Sequence, residues 1–98
     1  MQRRCFLLQV KPGKLQEYLQ AHQVWPEMLA ALHAVGLSHY SMFYRPDGLL
    51  VGYLEGEDIS DSLRRLAELP VEARWQEGMA PFFEAGGSQE LIEYFHMA

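Results

Sequence analysis

One cysteine, Cys5, stands in 98 residues, so no intrachain disulfide forms and neither a redox pair nor a Cys/His metal array can be built from it. Basic residues are few: 8 Lys plus Arg against 13 Asp plus Glu leave a formal net charge of −5, which repels a phosphate backbone rather than releasing its counterions. Nucleic acid and anionic membrane are not expected partners. The apolar run after Arg3-Arg4 stops at Gln9 and Lys11, too short for an export signal or a membrane span. With the lone cysteine, this points to a reducing, cytoplasmic setting. G-x-G-x-x-G, Walker A, H-E-x-x-H and G-x-S-x-G are all missing, which removes most support for nucleotide and zinc-hydrolase chemistry. His22, His33, His39 and His96 fall at no ligand-pair spacing on one element, so no metal is expected unless folding gathers distant residues.

What remains is an ordinary globular composition, 49% hydrophobic and 21% charged, with no repeat and no linker, hence one domain over residues 1–98. Alternation in Cys5 to Val10 predicts a strand, ended by Pro12-Gly13. Leu15, Tyr18, Leu19 and His22 share one helical face. Pro26 opens a second helical stretch that stops at Gly36, or resumes the first after a kink. Leu37 to Arg45 and Leu49 to Glu55 flank Pro46-Asp47-Gly48 as a hairpin. Asp58, Ser60 and Asp61 offer capping oxygens to a helix carrying Leu63, Leu66 and Leu69, and Pro70 interrupts it before Val71 to Met79. After Gly86-Gly87-Ser88 the run Leu91 to His96 reads as a closing strand. The order β, α, β, β, α, β is the split-βαβ, ferredoxin-like arrangement, an α+β fold with an antiparallel sheet and helices on one face. Apolar residues lie on both sides of the strands: Tyr40, Met42 and Tyr44 against Phe43, and Leu49, Val51 and Tyr53 against Leu50 and Leu54. That predicts a homodimer through the free sheet faces, with a ligand site between helix, sheet and partner.

Tyr18 and His22 lie four apart, so on a helix they stand one above the other and can meet the same small molecule. An imidazole gives or takes a proton near neutral pH, and a phenol donates a hydrogen bond. Spacing alone favours the structural account, with Tyr18 in the core and His22 a polar group at a helix end. Trp25, Tyr40, Tyr44, Trp75 and Tyr94 add aromatic area that suits the C–H faces of sugars as well as a core or an interface. Gln76 supplies an amide able to bond adjacent hydroxyls. Glu55 ends a strand and is available to pair with an arginine such as Arg74.

In order and spacing, Phe6-Leu7-Leu8-Gln9-Val10, Tyr18 and His22 leading into Trp25-Pro26-Glu27, Gly36 with Tyr40, Gly48-Leu49-Leu50, Arg74-Trp75 and Leu91-x-Glu93-x-Phe95 resemble the L-rhamnose mutarotase family over nearly the whole chain. The resemblance implies a dimeric α+β barrel that interconverts the α and β anomers of L-rhamnose without a cofactor. It also implies His22 as proton donor and Tyr18, Tyr40, Trp75 and Gln76 as sugar-binding residues. The chain departs from the family pattern twice: only Gln23-Val24 separate His22 from Trp25, and Gln76 stands where members commonly carry a second tryptophan. Two rivals share the fold or the pocket. One is a cofactor-independent or haem-degrading monooxygenase; the other is a dimer that senses a sugar without turning it over.

Overall fold

The computed structural model describes residues 1–98. β1 (Gln2–Gln9) leads to α1 (Leu15–Ala21) and α2 (Pro26–Ala34), then to the hairpin β2 (Leu37–Tyr44) and β3 (Leu49–Gly56). α3 (Ile59–Ala67), α4 (Pro70–Met79), a 3-10 turn (Ala80–Phe82) and β4 (Gln89–Leu91) complete the chain. The strands form one sheet in the order β2-β3-β1-β4, and each pairing is antiparallel. This is the expected ferredoxin-like plan, with each helical crossover cut in two by a proline. Pro26 and Pro70 each open a new helix, because proline lacks an N–H but fits the first turn.

The punctuation follows the side chains. Asp58 caps α3 by accepting the Asp61 N–H at 3.2 Å. Gly36, at φ +91°, closes α2 with its N–H on the His33 carbonyl at 3.0 Å, a backbone that residues with a Cβ rarely adopt. In the hairpin turn the Gly48 N–H donates to the Arg45 carbonyl at 2.9 Å. Arg45 grips Asp47 through two hydrogen bonds of 2.9 and 2.6 Å.

Burial along β3 alternates strictly. Leu50, Gly52, Leu54 and Gly56 face the helices, while Leu49, Val51, Tyr53 and Glu55 face the open side. Two packed groups lie beneath the helices. Met28, Ala31, Val35, Leu37, Leu54, Ile59 and Leu66 form one, and Val10, Tyr18, Leu50 and Met79 form the other, with Trp75 packed against both.

Two expectations are corrected. The closing strand is only Gln89–Leu91, paired with Cys5, Phe6 and Leu7 of β1. Ile92, Tyr94, Phe95 and Met97 run on exposed, held to β1 only by the Arg3 guanidinium donating to Glu93, because an edge segment has a neighbour on one side only. Glu55 does not meet Arg74. It accepts the Tyr53 hydroxyl at 2.7 Å on the open face, while Arg74 pairs with Glu27 at 2.9 Å on the helical side.

Candidate active site

Tyr18 comes from the last two turns of α1 and His22 caps that helix, its backbone N–H donating to the Tyr18 carbonyl at 2.8 Å. The four-residue spacing therefore stacks the rings as expected, centroids 5.3 Å apart and tilted by 44°. Trp75, projecting inward from α4, meets the imidazole edge-on at 5.2 Å and also meets Trp25 at 5.2 Å. Arg74 lies 5.7 Å from the Trp25 ring, a cation–π contact that joins α4 to the start of α2. His22 thus touches both a phenol and an indole, and that indole packs against a second one.

Tyr18 is 4% exposed, with Phe82 and Phe83 set edge-on against its ring at 6.0 and 5.4 Å. Burial, and then the neighbouring Tyr40, push its hydroxyl up to about 12. Tyr40, still 43% exposed, is set on the helix-facing side of the sheet beside Phe6 by an irregularity in β2: the pairing with β3 slips between Ser38 and Ser41, where His39 takes φ +49°. Such a bulge inserts one residue and re-aims a side chain. The Tyr40 ring stands edge-on to Phe6 at 6.3 Å. Its hydroxyl is pushed up to about 12, chiefly by burial and then by the Glu72 carboxylate. Both phenols therefore keep their protons at neutral pH and act as donors.

A shallow pocket of about 150 Å³ opens between α1 and the β2 edge, lined by Tyr18, Leu19, His22, Met42, Phe43, Tyr44 and Leu50. Of the residues singled out in the sequence, Tyr18, His22 and Tyr44 line it. Trp75 does not line it but contacts His22, which does, and Tyr40, 43% exposed, lies outside the lining. Gln76 is exposed and gives its amide to Glu72 Oε1 at 2.5 Å. Glu72 escaped the sequence reading, although its spacing of three and four residues before Trp75 and Gln76 puts all three on one side of a helix. No group of three or more His, Cys, Asp or Glu side chains could hold a metal ion, and no helix is long and apolar enough to cross a membrane.

Comparison with known proteins identifies the family and the fold. The family model described as L-rhamnose mutarotase matches residues 3–97. The L-rhamnose mutarotase of Bacillus subtilis is 41% identical, the alignment covering 99% of each chain. The solved L-rhamnose mutarotase of Formosa agariphila superposes with a TM-score of 0.85 at 25% identity, with 100% of both chains covered. An antibiotic biosynthesis monooxygenase, at 13% identity and a TM-score of 0.67 over 98% of this chain and 100% of its own, shares the fold alone.

Proposed function

The chain belongs to the L-rhamnose mutarotase family, and from that premise we propose how its own residues exchange the α and β anomers of L-rhamnose. His22 delivers a proton to the ring oxygen as the C1–O5 bond breaks, and recovers it when the open aldehyde closes on its other face. Tyr18 and Tyr40 donate hydrogen bonds to sugar hydroxyls. Trp75 sets the imidazole's direction and offers its ring to the C–H face of the pyranose. Gln76 keeps one amide hydrogen and its carbonyl oxygen available for a hydroxyl while its other hydrogen holds Glu72. The contact series Tyr18, His22, Trp75 carries this reading: a proton-transfer group packed against two aromatic side chains beside a pocket.

The working unit in this reading is a homodimer. The chain exposes 6787 Å², whereas a folded monomer of 11.3 kDa exposes about 5,700 Å². The excess of roughly 1,000 Å² is close to what one partner buries in a standard interface. Leu7, Val51, Tyr53 and the largely exposed Phe43 lie on the open sheet face, and the apolar tail beyond Leu91 adds to the surface a second copy would cover. A partner would also deepen the pocket, which at about 150 Å³ is small beside the roughly 300 Å³ lower bound of ligand sites. A reducing cytoplasm suits the single free Cys5.

Saturation-transfer NMR on L-rhamnose tests the role of His22. His22→Ala is expected to keep the fold and to slow catalysed exchange by about 10²- to 10⁴-fold, the usual range for one acid–base group. An unchanged rate overturns the assignment. L-fucose and D-glucose offered in parallel measure how Gln76 bears on sugar preference.

A further inference from the structure

A pyranose carries hydroxyls around its whole ring, so polar contacts from one wall of a pocket leave its far edge unheld. The α1 wall brings Tyr18 and, at the helix cap, His22. The sheet wall is Met42, Phe43, Tyr44 and Leu50, and the Tyr44 hydroxyl is the one side-chain N–H or O–H among them. Tyr40, on the same face of β2, lies outside the lining.

Tyr44 owes its direction to strand register. It pairs with Leu50 across β2 and β3, and Leu50 is buried beneath the helices, so the Tyr44 side chain leaves the sheet on the helical face rather than the open one. Its backbone sits at the start of the hairpin turn, where little can shift. The next residue, Arg45, donates its N–H to the Leu49 carbonyl at 2.8 Å, and its guanidinium holds Asp47. The ring itself stays 56% exposed, whereas Tyr18 across the pocket is buried, so the two phenols mark the rim and the floor. On the open face Tyr53 gives its hydroxyl to Glu55 at 2.7 Å; the Tyr44 hydroxyl has no such partner within the chain. A half-exposed phenol on a rigid strand, beside the cavity that His22 lines, has the placement and the free donor that a ligand contact needs.

We propose that Tyr44 is a further sugar-contacting residue, its hydroxyl hydrogen-bonding a pyranose hydroxyl from the sheet side while Tyr18 and His22 engage the sugar from α1. The inference rests on the reading of this pocket given above, with His22 as the acid. The contact moves no proton and breaks no bond. It holds the closed ring and the opening ring alike, so its loss is felt in KM rather than in kcat. Its size is that of one neutral hydrogen bond, because water competes for a half-exposed hydroxyl.

Tyr44→Phe removes the hydroxyl and keeps the ring; Tyr44→Ala removes both. Each is compared with the wild type and His22→Ala by saturation-transfer NMR over a series of L-rhamnose concentrations. L-rhamnose is also titrated by NMR into H22A and into the H22A/Y44F double variant, which reads binding apart from catalysed exchange. Y44F is expected to raise KM by about three- to tenfold, with kcat within about twofold of the wild type. Its melting temperature should match the wild type, since an exposed hydroxyl contributes little to folding. The double variant should bind L-rhamnose about three- to tenfold more weakly than H22A, and Y44A should raise KM at least as far as Y44F. An unchanged KM in Y44F overturns the proposal even if Y44A raises it, because the ring alone would then matter. A Y44F that lowers kcat and melting temperature together with KM unchanged also overturns it, since packing and not sugar contact would be lost. If H22A loses exchange while Y44F keeps wild-type KM and the double variant binds as H22A does, Tyr44 falls and the site stands. If H22A exchanges L-rhamnose at the wild-type rate, the reading of the pocket falls and Tyr44 with it.

Discussion

At the scale of single residues, Tyr18 and His22 were legible because a four-residue spacing on an amphipathic helix has one geometric meaning. Glu72 was not legible, because an acidic residue in a first helical turn ordinarily serves the helix dipole and nothing local reveals that its end is buried. That burial has a measurable consequence. Its carboxyl is raised above the ordinary 4.5, so the native chain binds this proton more tightly than the unfolded chain does. Stability is therefore greatest below the unfolded value, declines as pH rises through the folded one, and stays lower beyond it. E72Q, which cannot ionise, is expected to melt above the wild type at neutral pH and to match it near pH 4 in calorimetry. A melting difference of equal size at both pH values would exclude charge burial as its cause.

Among the elements, the hairpin, the glycine cap of α2 and the proline-opened helices were readable because each depends on a residue type with one strong backbone preference. The bulge in β2 and the shortness of β4 were not, because pairing register is decided by the neighbouring strand. Gly52 shows what that neighbour demands. A Cβ there would lie 2.2 Å from the Phe6 ring, and Phe6 in turn supports Tyr40 edge-on. Gly52→Ala is therefore expected to cost about 1–3 kcal/mol by overpacking. Each kcal/mol lowers the melting temperature of a domain this size by about 4–8 °C. Sugar exchange should weaken with it as Tyr40 shifts. A variant with wild-type melting and exchange would show that the ring relocates freely.

For the whole molecule, the open sheet face dominates. Leu7 pairs with Val51 at its centre, and a cation placed there meets a low-dielectric interface if two copies pack face to face. Leu7→Lys is expected to turn the proposed dimer into monomer in sedimentation equilibrium and to lower exchange along with it, because the pocket of one chain is shallow. A variant that still sediments as a dimer would place the interface elsewhere.

The amino-acid sequence by itself determined the order of elements, the two-sided apolar sheet and the Tyr18 and His22 pair, because hydrophobic period, turn chemistry and helical spacing act over a few neighbouring residues. Only the tertiary structure decided that Trp75 closes on His22, that the bulge sets Tyr40 on the helix-facing side of the sheet and that Glu72 is left with a buried, unbonded oxygen. Those facts depend on contacts between different elements, from the β2–β3 pairing of Ser38 with Glu55 to the distant packing of His22 on Trp75, where packing rather than local preference sets each side chain's surroundings.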